Sequence, residues 1–290
     1  MPRHFPQDHN LMPSKRVVRF LLVLSLLAYL ALSKIDRCTL TKHLSRLSDI
    51  ILGDTFAQNK AQSLFFERIT EDEREQFRNL VRVFHEKVGP NITYFLYAGT
   101  LLGSYSHHGM IPWDDDIDII VRDADREVLL NALKSLVPRY GYTNYSTCCK
   151  LFHANSPKAG LKPWKWPYLD IFFYNEYPTY IQDTTQAYKK FNTRDVFPLI
   201  TRPFMGMSLP APRNTLGFLR VTYDIDMCMS NSFDHRREQF ISCDHITKLP
   251  CVHLRGRFPF VRRVYEAKRT LEILEDRLLT VKKGVHATGR

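Results

Sequence analysis

The chain has 290 residues, enough for one domain with attachments, and its 44% hydrophobic content is ordinary for a packed core. A formal net charge of +11 admits three partner classes: nucleic acid, a membrane surface or an acidic small molecule. The charge is spread along the chain and no nucleic-acid-binding motif accompanies it. Nucleic acid is therefore set aside, and an anionic substrate such as a nucleotide-linked phosphate is favoured.

Residues 1–16 are polar and basic, with Pro2, Pro6 and Pro13, and are expected to form a cytoplasmic tail. Residues 17–33, VVRFLLVLSLLAYLALS, form the most apolar window of the chain. The window is at the short end for a bilayer span. Positive charge precedes it, which predicts a type II signal-anchor with a lumenal body. Ala31-Leu32-Ser33 leaves a cleaved signal peptide as the rival reading. Either way the body is expected in the secretory pathway, at the Golgi or endoplasmic reticulum membrane. Two sequons, Asn91-Ile92-Thr93 and Asn144-Tyr145-Ser146, make Asn91 and Asn144 candidate glycosylation sites.

Residues 34–61 show no strong period and are expected to form a stem; residues 62–290 are expected to form the main folded body. A helix opens that body. Thr70 and Glu73 have capping-box spacing. Phe77, Leu80, Val81, Phe84 and Val88 then recur at helical intervals, and Gly89-Pro90 ends the helix.

The chemistry concentrates in residues 94–121, YFLYAGTLLGSYSHHGMIPWDDDIDIIV. An apolar run from Tyr94 to Ala98 stops at Gly99-Thr100, and a short helix is expected to follow. A strand ending in Gly-Thr and turning into a helix presents backbone N–H groups to an anion. Further on, Ile117, Ile119, Ile120 and Val121 predict a buried strand. Residues at i and i+2 share one strand face, so Asp116 and Asp118 stand side by side and repel each other. A divalent cation with oxygen ligands would offset that repulsion; a solvated acidic turn is the alternative.

These two pieces, Gly99-Thr100-Leu101-Leu102-Gly103 and Ile111-Pro112-Trp113-Asp114-Asp115-Asp116-Ile117-Asp118-Ile119, together closely resemble the LicD group of the nucleotidyltransferase superfamily, which includes fukutin and fukutin-related protein. The resemblance covers roughly residues 70–240. It implies an α/β fold, a small mixed sheet flanked by helices, here behind an N-terminal transmembrane anchor. It also implies a phosphotransferase. The phospho-linked group, such as phosphocholine or ribitol phosphate, would pass from a CDP-linked donor to a hydroxyl of a glycan or glycoprotein acceptor. Asp116, Asp118 and a third carboxylate from a neighbouring strand would hold Mg²⁺ or Mn²⁺. Gly99, Thr100 and Gly103 would meet the donor phosphates, and Asp114 or Asp118 would take the acceptor proton. A non-catalytic scaffold of a glycosylation complex and a metal-dependent glycosyltransferase are the competing classes.

After the aspartate strand, Asp123 can cap a helix running to about Val137. Lys150-Leu151-Phe152 suits a short strand. The segment 158–167, KAGLKPWKWP, is rich in Lys and Trp; it is either a donor-binding loop, which would add Lys158 to Lys150 as phosphate contacts, or a plain basic loop. Asp170 sits between apolar neighbours in Tyr168–Phe173, a poor place for a casual charge. It fits the third carboxylate that the family implies, and a structural ion pair is the alternative. Residues 196–213 are proline-rich and expected to be irregular, and 215–223 are expected to be helical. Where the family commonly continues with Tyr-Gly and Asp-Trp, this chain has Tyr223-Asp224 and Asp226-Met227, a departure on the acceptor side.

The six cysteines are Cys38, Cys148, Cys149, Cys228, Cys243 and Cys251. Cys243 and Cys251 with His245 and His253 suggest zinc, but the spacing is not that of the usual structural sites. An oxidising lumen predicts at least one disulfide among the last five. Val264, Ala267, Leu271, Leu274, Leu278 and Val281 predict a docked C-terminal helix.

Overall fold

The computed structural model describes residues 54–145, 147–266, 269–276 and 283–289. The chain separates into two compact units, residues 1–57 and 58–290, and the second carries everything below except the first four residues of the first helix. Helix α1 (Asp54–Ser63) comes first. Helix α2 (Glu71–Val83) begins at the expected capping box: the Thr70 hydroxyl accepts from the Glu73 N–H, and the Glu73 carboxylate accepts from the Thr70 N–H. Its apolar stripe is buried, and a π turn (Phe84–Val88) and a 3-10 turn (Gly89–Asn91) complete it.

Next come β1 (Tyr94–Leu96), α3 (Ala98–His107) and β2 (Ile117–Arg122). A 3-10 turn at Asp123–Asp125 leads into α4 (Arg126–Ser135). Strands β3 (Tyr140–Asn144), β4 (Cys148–His153), β5 (Tyr168–Glu176), β6 (Tyr180–Asp183) and β7 (Lys190–Asn192) follow. The seven strands form one mixed sheet in the order β1-β2-β5-β4-β3, extended from β5 through β6 to β7. Its neighbours pair antiparallel except β2 and β5, which run parallel. Both of these central strands are apolar and buried almost throughout, as expected of strands covered on both faces. Helix α2 packs against β4 and β5, and α3 packs against β2. Phe77 of α2 meets Trp166 edge-on at 5.8 Å between ring centres.

Three expectations are corrected here. Among the described residues no helix is long and apolar enough to cross a membrane. The longest described α-helix, α2, has 13 residues and is heavily charged, too short for a bilayer. The anchored fold class is therefore not what the structure contains; the window 17–33, the tail before it and most of the stem lie outside the described residues. Second, the proline-rich stretch is ordered. It forms a short helix α5 (Thr193–Val196) and a hairpin of β8 (Ile200–Phe204) and β9 (Met207–Ala211), turned at Met205-Gly206. Pro203 and Pro210 are compatible because the pair is a two-stranded sheet with open edges. Third, the described part of the C-terminal stripe, Val264, Leu271 and Leu274, is strand rather than helix; Ala267, Leu278 and Val281 lie outside the described residues. After α6 (Thr215–Arg220), the chain forms β10 (Met227–Met229), β11 (Phe233–Asp234), β12 (Gln239–Phe240) and β13 (Lys248–Pro250). It ends in a three-stranded meander, β14 (Phe260–Glu266), β15 (Arg269–Glu275) and β16 (Lys283–Gly289). Spacing of three and four is ambiguous over a short window, and β-branched Val261, Val264, Thr270 and Ile273 favour strands.

The meander is tied to the body by Glu272, which is 2% exposed. It receives Arg202 at 2.7 Å, Arg263 at 2.9 Å and His108 at 3.1 Å. Three donors outweigh the cost of burial and hold its carboxyl down at about 2. A second apolar cluster surrounds Trp113 and includes Phe65, Phe258 and Phe260. Beside it, Cys228 and Cys251 form a disulfide. That bears out the expected bridge and removes Cys251 from the zinc reading.

Candidate functional site

The parallel pairing of β2 and β5 sets Asp118 directly opposite Asp170. Asp116 lies two residues before Asp118 and so reaches the same side. Ligand oxygens of Asp116, Asp118 and Asp170 all come within 4.8 Å of one another. Asp118 and Asp170 are 7% and 6% exposed. Burial, together with Asp170 nearby, pushes the Asp118 carboxyl up to about 8. Burial raises Asp116 to about 7; His235 offsets part of the rise, and Asp118 adds to it. Asp170 is raised by burial and partly restored by Lys150. Three crowded carboxylates with oxygen-only donors are what a hard divalent cation takes, so these residues fit Mg²⁺ or Mn²⁺.

The structure brings together some of the expected phosphate contacts and separates others. Helix α3 starts from Tyr97, which provides no side-chain cap, and Ala98 at its head holds a left-handed backbone with φ 43°. Gly99 sits in that first turn, where an added Cβ would lie 3.0 Å from Asp114 Oδ2. Gly99, Asp114, Asp116 and Asp118 all line a cavity of about 350 Å³. Thr100 faces elsewhere: its hydroxyl accepts from the Asp118 N–H at 2.7 Å and so fixes that strand. Gly103 is a packing glycine, since a Cβ there would meet the Gly109 carbonyl oxygen at 2.4 Å; it does not line the cavity. Lys150 donates to Asp170 at 2.6 Å and lies over the Tyr168 ring at 3.8 Å. Lys158 is exposed and lies outside the cavity lining. Asn91 and Asn144 are exposed, at the end of the 3-10 turn and of β3.

Several residues at the site were not singled out in the sequence. His235 places Nδ1 2.8 Å from Asp115 and Nε2 3.1 Å from Asp116. Burial opposes its protonation, but Asp116, Asp115 and Asp114 prevail and raise it to about 10. Asp114, one of the two carboxylates expected to take the acceptor proton, is raised well above the usual carboxylate range by burial and then by Asp116. The rest of the cavity lining is largely apolar: Ile225, Met227, Met229, Phe233 and Phe260, with Tyr223 and the Cys228–Cys251 bridge. The departure noted at Tyr223-Asp224 and Asp226-Met227 thus falls on this lining. Strand parity was the available signal. If Asp114, Asp116 and Asp118 point one way, Asp115 points the other and needs a partner from elsewhere.

Residues 91–214 match the model of the LicD/FKTN/FKRP nucleotidyltransferase domain. An uncharacterized protein of Rickettsia prowazekii (strain Madrid E), RP689, is 29% identical over 142 residues, covering 46% of this chain and 48% of that protein. A second, RT0683 of Rickettsia typhi (strain ATCC VR-144 / Wilmington), is 26% identical over 167 residues, covering 54% and 48%. The chain thus spans about half the length of the curated relatives it matches. A crystal structure of the lincosamide antibiotic adenylyltransferase LnuA, lincomycin-bound, aligns at a TM-score of 0.35 and 16% identity, over 55% of this chain and 90% of that one. The glycine turn, the aspartate strand and Asp170 all fall inside the matched span, and the match over residues 91–214 is consistent with the LicD family.

Proposed function

We propose that this protein is a metal-dependent phosphotransferase that moves a phospho-linked group from a CDP-linked donor to a hydroxyl of a glycan. The observation that carries this reading is the convergence of Asp116, Asp118 and Asp170 within 4.8 Å beside a cavity of about 350 Å³. A bound Mg²⁺ or Mn²⁺ would neutralise donor phosphate charge. Asp116, Asp118 and Asp170 are the residues that would hold it. Ala98 and Gly99 would offer first-turn N–H groups of α3 to a phosphate oxygen. Asp114, next to Gly99 and raised by burial, would take the acceptor proton. Lys150, already paired with Asp170, would keep that carboxylate in place.

The compartment we propose is the secretory lumen. The Cys228–Cys251 bridge suits an oxidising environment, and both sequon asparagines are exposed. The test is transfer by the purified full chain from a panel of CDP-linked donors to glycan acceptors, with Mn²⁺ or Mg²⁺. Turnover that chelation abolishes and Asp118→Asn removes is expected. Turnover that survives both would overturn the reading.

A further inference from the structure

Asp115 is the one aspartate of the 114–118 run that does not line the cavity, and it is 3% exposed. Both of its oxygens are committed. Oδ1 faces Asn231 Nδ2 at 2.8 Å and His235 Nδ1 at 2.8 Å, and Oδ2 accepts from the His235 backbone N–H at 3.0 Å. All three partners lie in one short segment, residues 229–238. The same segment is held at other points. Trp113 Nε1 donates to the Met229 carbonyl at 3.0 Å, and the Gly160 N–H donates to the Arg236 carbonyl at 2.8 Å. Trp164 Nε1 and the Tyr168 hydroxyl both donate to Glu238 Oε1, at 3.0 and 2.6 Å. The segment begins directly after Cys228, which the disulfide fixes to Cys251. Met229, Asn231, Phe233 and His235 line the cavity. None of these strap residues lies in the matched span 91–214.

We propose that residues 229–238 are a strap that walls the cavity, that Asp115 is its anchor rather than a metal ligand, and that His235 is a positioning residue linking strap to Asp116. The imidazole spans the two carboxylates, Nδ1 to Asp115 and Nε2 to Asp116. One ring therefore couples the seating of the strap to the orientation of an expected ligand. Partners of this kind set ligand orientation, and losing one typically costs about 10–100-fold in metal affinity. The strap's side chains contribute the part of the cavity that the family domain does not, so they select the organic part of the ligand. This last step, like the link to metal, rests on the transferase reading above; the anchoring of the strap does not.

The strap carries its own reporter, because Arg236 and Arg237 are exposed trypsin sites. Two measurements on the oxidised full chain test the proposal: the rate of tryptic cleavage after Arg236 or Arg237, and the affinity for Mn²⁺ alone by paramagnetic resonance. Asp115→Asn is expected to speed cleavage about tenfold, as the open population grows, and to weaken Mn²⁺ binding about tenfold without abolishing it. Asp116→Asn is expected to abolish Mn²⁺ binding without faster cleavage. If Asp115→Asn does not fold by circular dichroism, Asn231→Ala and His235→Gln are read in its place, with faster cleavage expected from both. Loss of Mn²⁺ binding in Asp115→Asn as complete as in Asp116→Asn, with the strap still protected, makes Asp115 a ligand and overturns the proposal. Unchanged cleavage and affinity in every strap variant overturns it too. A parent that binds no Mn²⁺ defeats the metal reading and the role of His235, while cleavage alone still decides the strap.

Discussion

At the scale of single residues, Asp118 and Asp170 face each other across the same strand pair but differ in their supports. Asp170 has Lys150 at 2.6 Å; Asp118 is held through its backbone, its N–H donating to the Thr100 hydroxyl and its carbonyl accepting from the Tyr97 N–H. The two readings of Asp170, third carboxylate and structural ion pair, are thus both present in one residue. Asp118→Asn relieves repulsion and is expected to leave the metal-free melting temperature level or raised. Asp170→Asn strands a buried ammonium and is expected to destabilise by about 3 kcal/mol; calorimetry in chelator separates the two. The glycines divide similarly. Gly99→Ala should press on Asp114 and lower transfer at least tenfold with little change in melting. Gly103→Ala should cost about 2 kcal/mol through backbone overlap. Equal melting losses for both would contradict the division. Asp116, Asp118 and Asp170 were legible in the sequence because charges inside apolar strands are conspicuous. Gly103 packs against the Gly109 carbonyl outside the cavity lining, and a glycine needed for packing and one needed for a ligand look alike in a sequence. His235 was invisible because its partners are 119 and 120 positions away, at Asp116 and Asp115, and no local pattern reports such a contact.

At the scale of elements, α2 and the two aspartate-bearing strands followed their local signals closely, because caps, periodicity and tertiary burial agree there. The C-terminal meander did not. Its stripe fits a helix by spacing, and the decision for strands comes from pairing across the chain: Val261 with Leu274 and Val264 with Leu271. Glu272 makes that pairing part of the body, and it gives a pH prediction. Its folded carboxyl is depressed to about 2 from 4.5. The stabilisation is therefore fully present above about pH 4.5 and is lost as pH falls toward about 2. Glu272→Gln is expected to lower stability by about 3 kcal/mol at neutral pH, since Arg202 stays buried without its charge partner. It should also flatten the acid limb of denaturant midpoint against pH. A variant whose acid limb is as steep as the parent's would place that titration elsewhere.

At the scale of the whole molecule, the family span supplies the carboxylates and the later segments complete the cavity around them. Cys228–Cys251 closes a separation of 23 residues, for which loop-entropy arguments give about 3 kcal/mol. Reduction, or paired Cys→Ser changes, should lower stability by that order and raise KM more than it lowers kcat, because the bridge lines the cavity and does not touch the carboxylate group. A kcat loss with constant KM would place the bridge's effect on the chemistry instead.

The alternation of side chains through Asp114-Asp115-Asp116-Ile117-Asp118 has a consequence for how this chain can vary. Asp114, Asp116 and Asp118 serve the cavity, Asp115 between them serves the strap, and Ile117 packs in the core. Counting matters there more than chemistry. Deleting any one of the three aspartate codons between Trp113 and Ile117 leaves two aspartates for three stations, so a cavity position or the strap's anchor goes without its carboxylate. Saturation mutagenesis scored for folded protein should therefore tolerate many substitutions at Asp114 and still reject every change of length across those few residues.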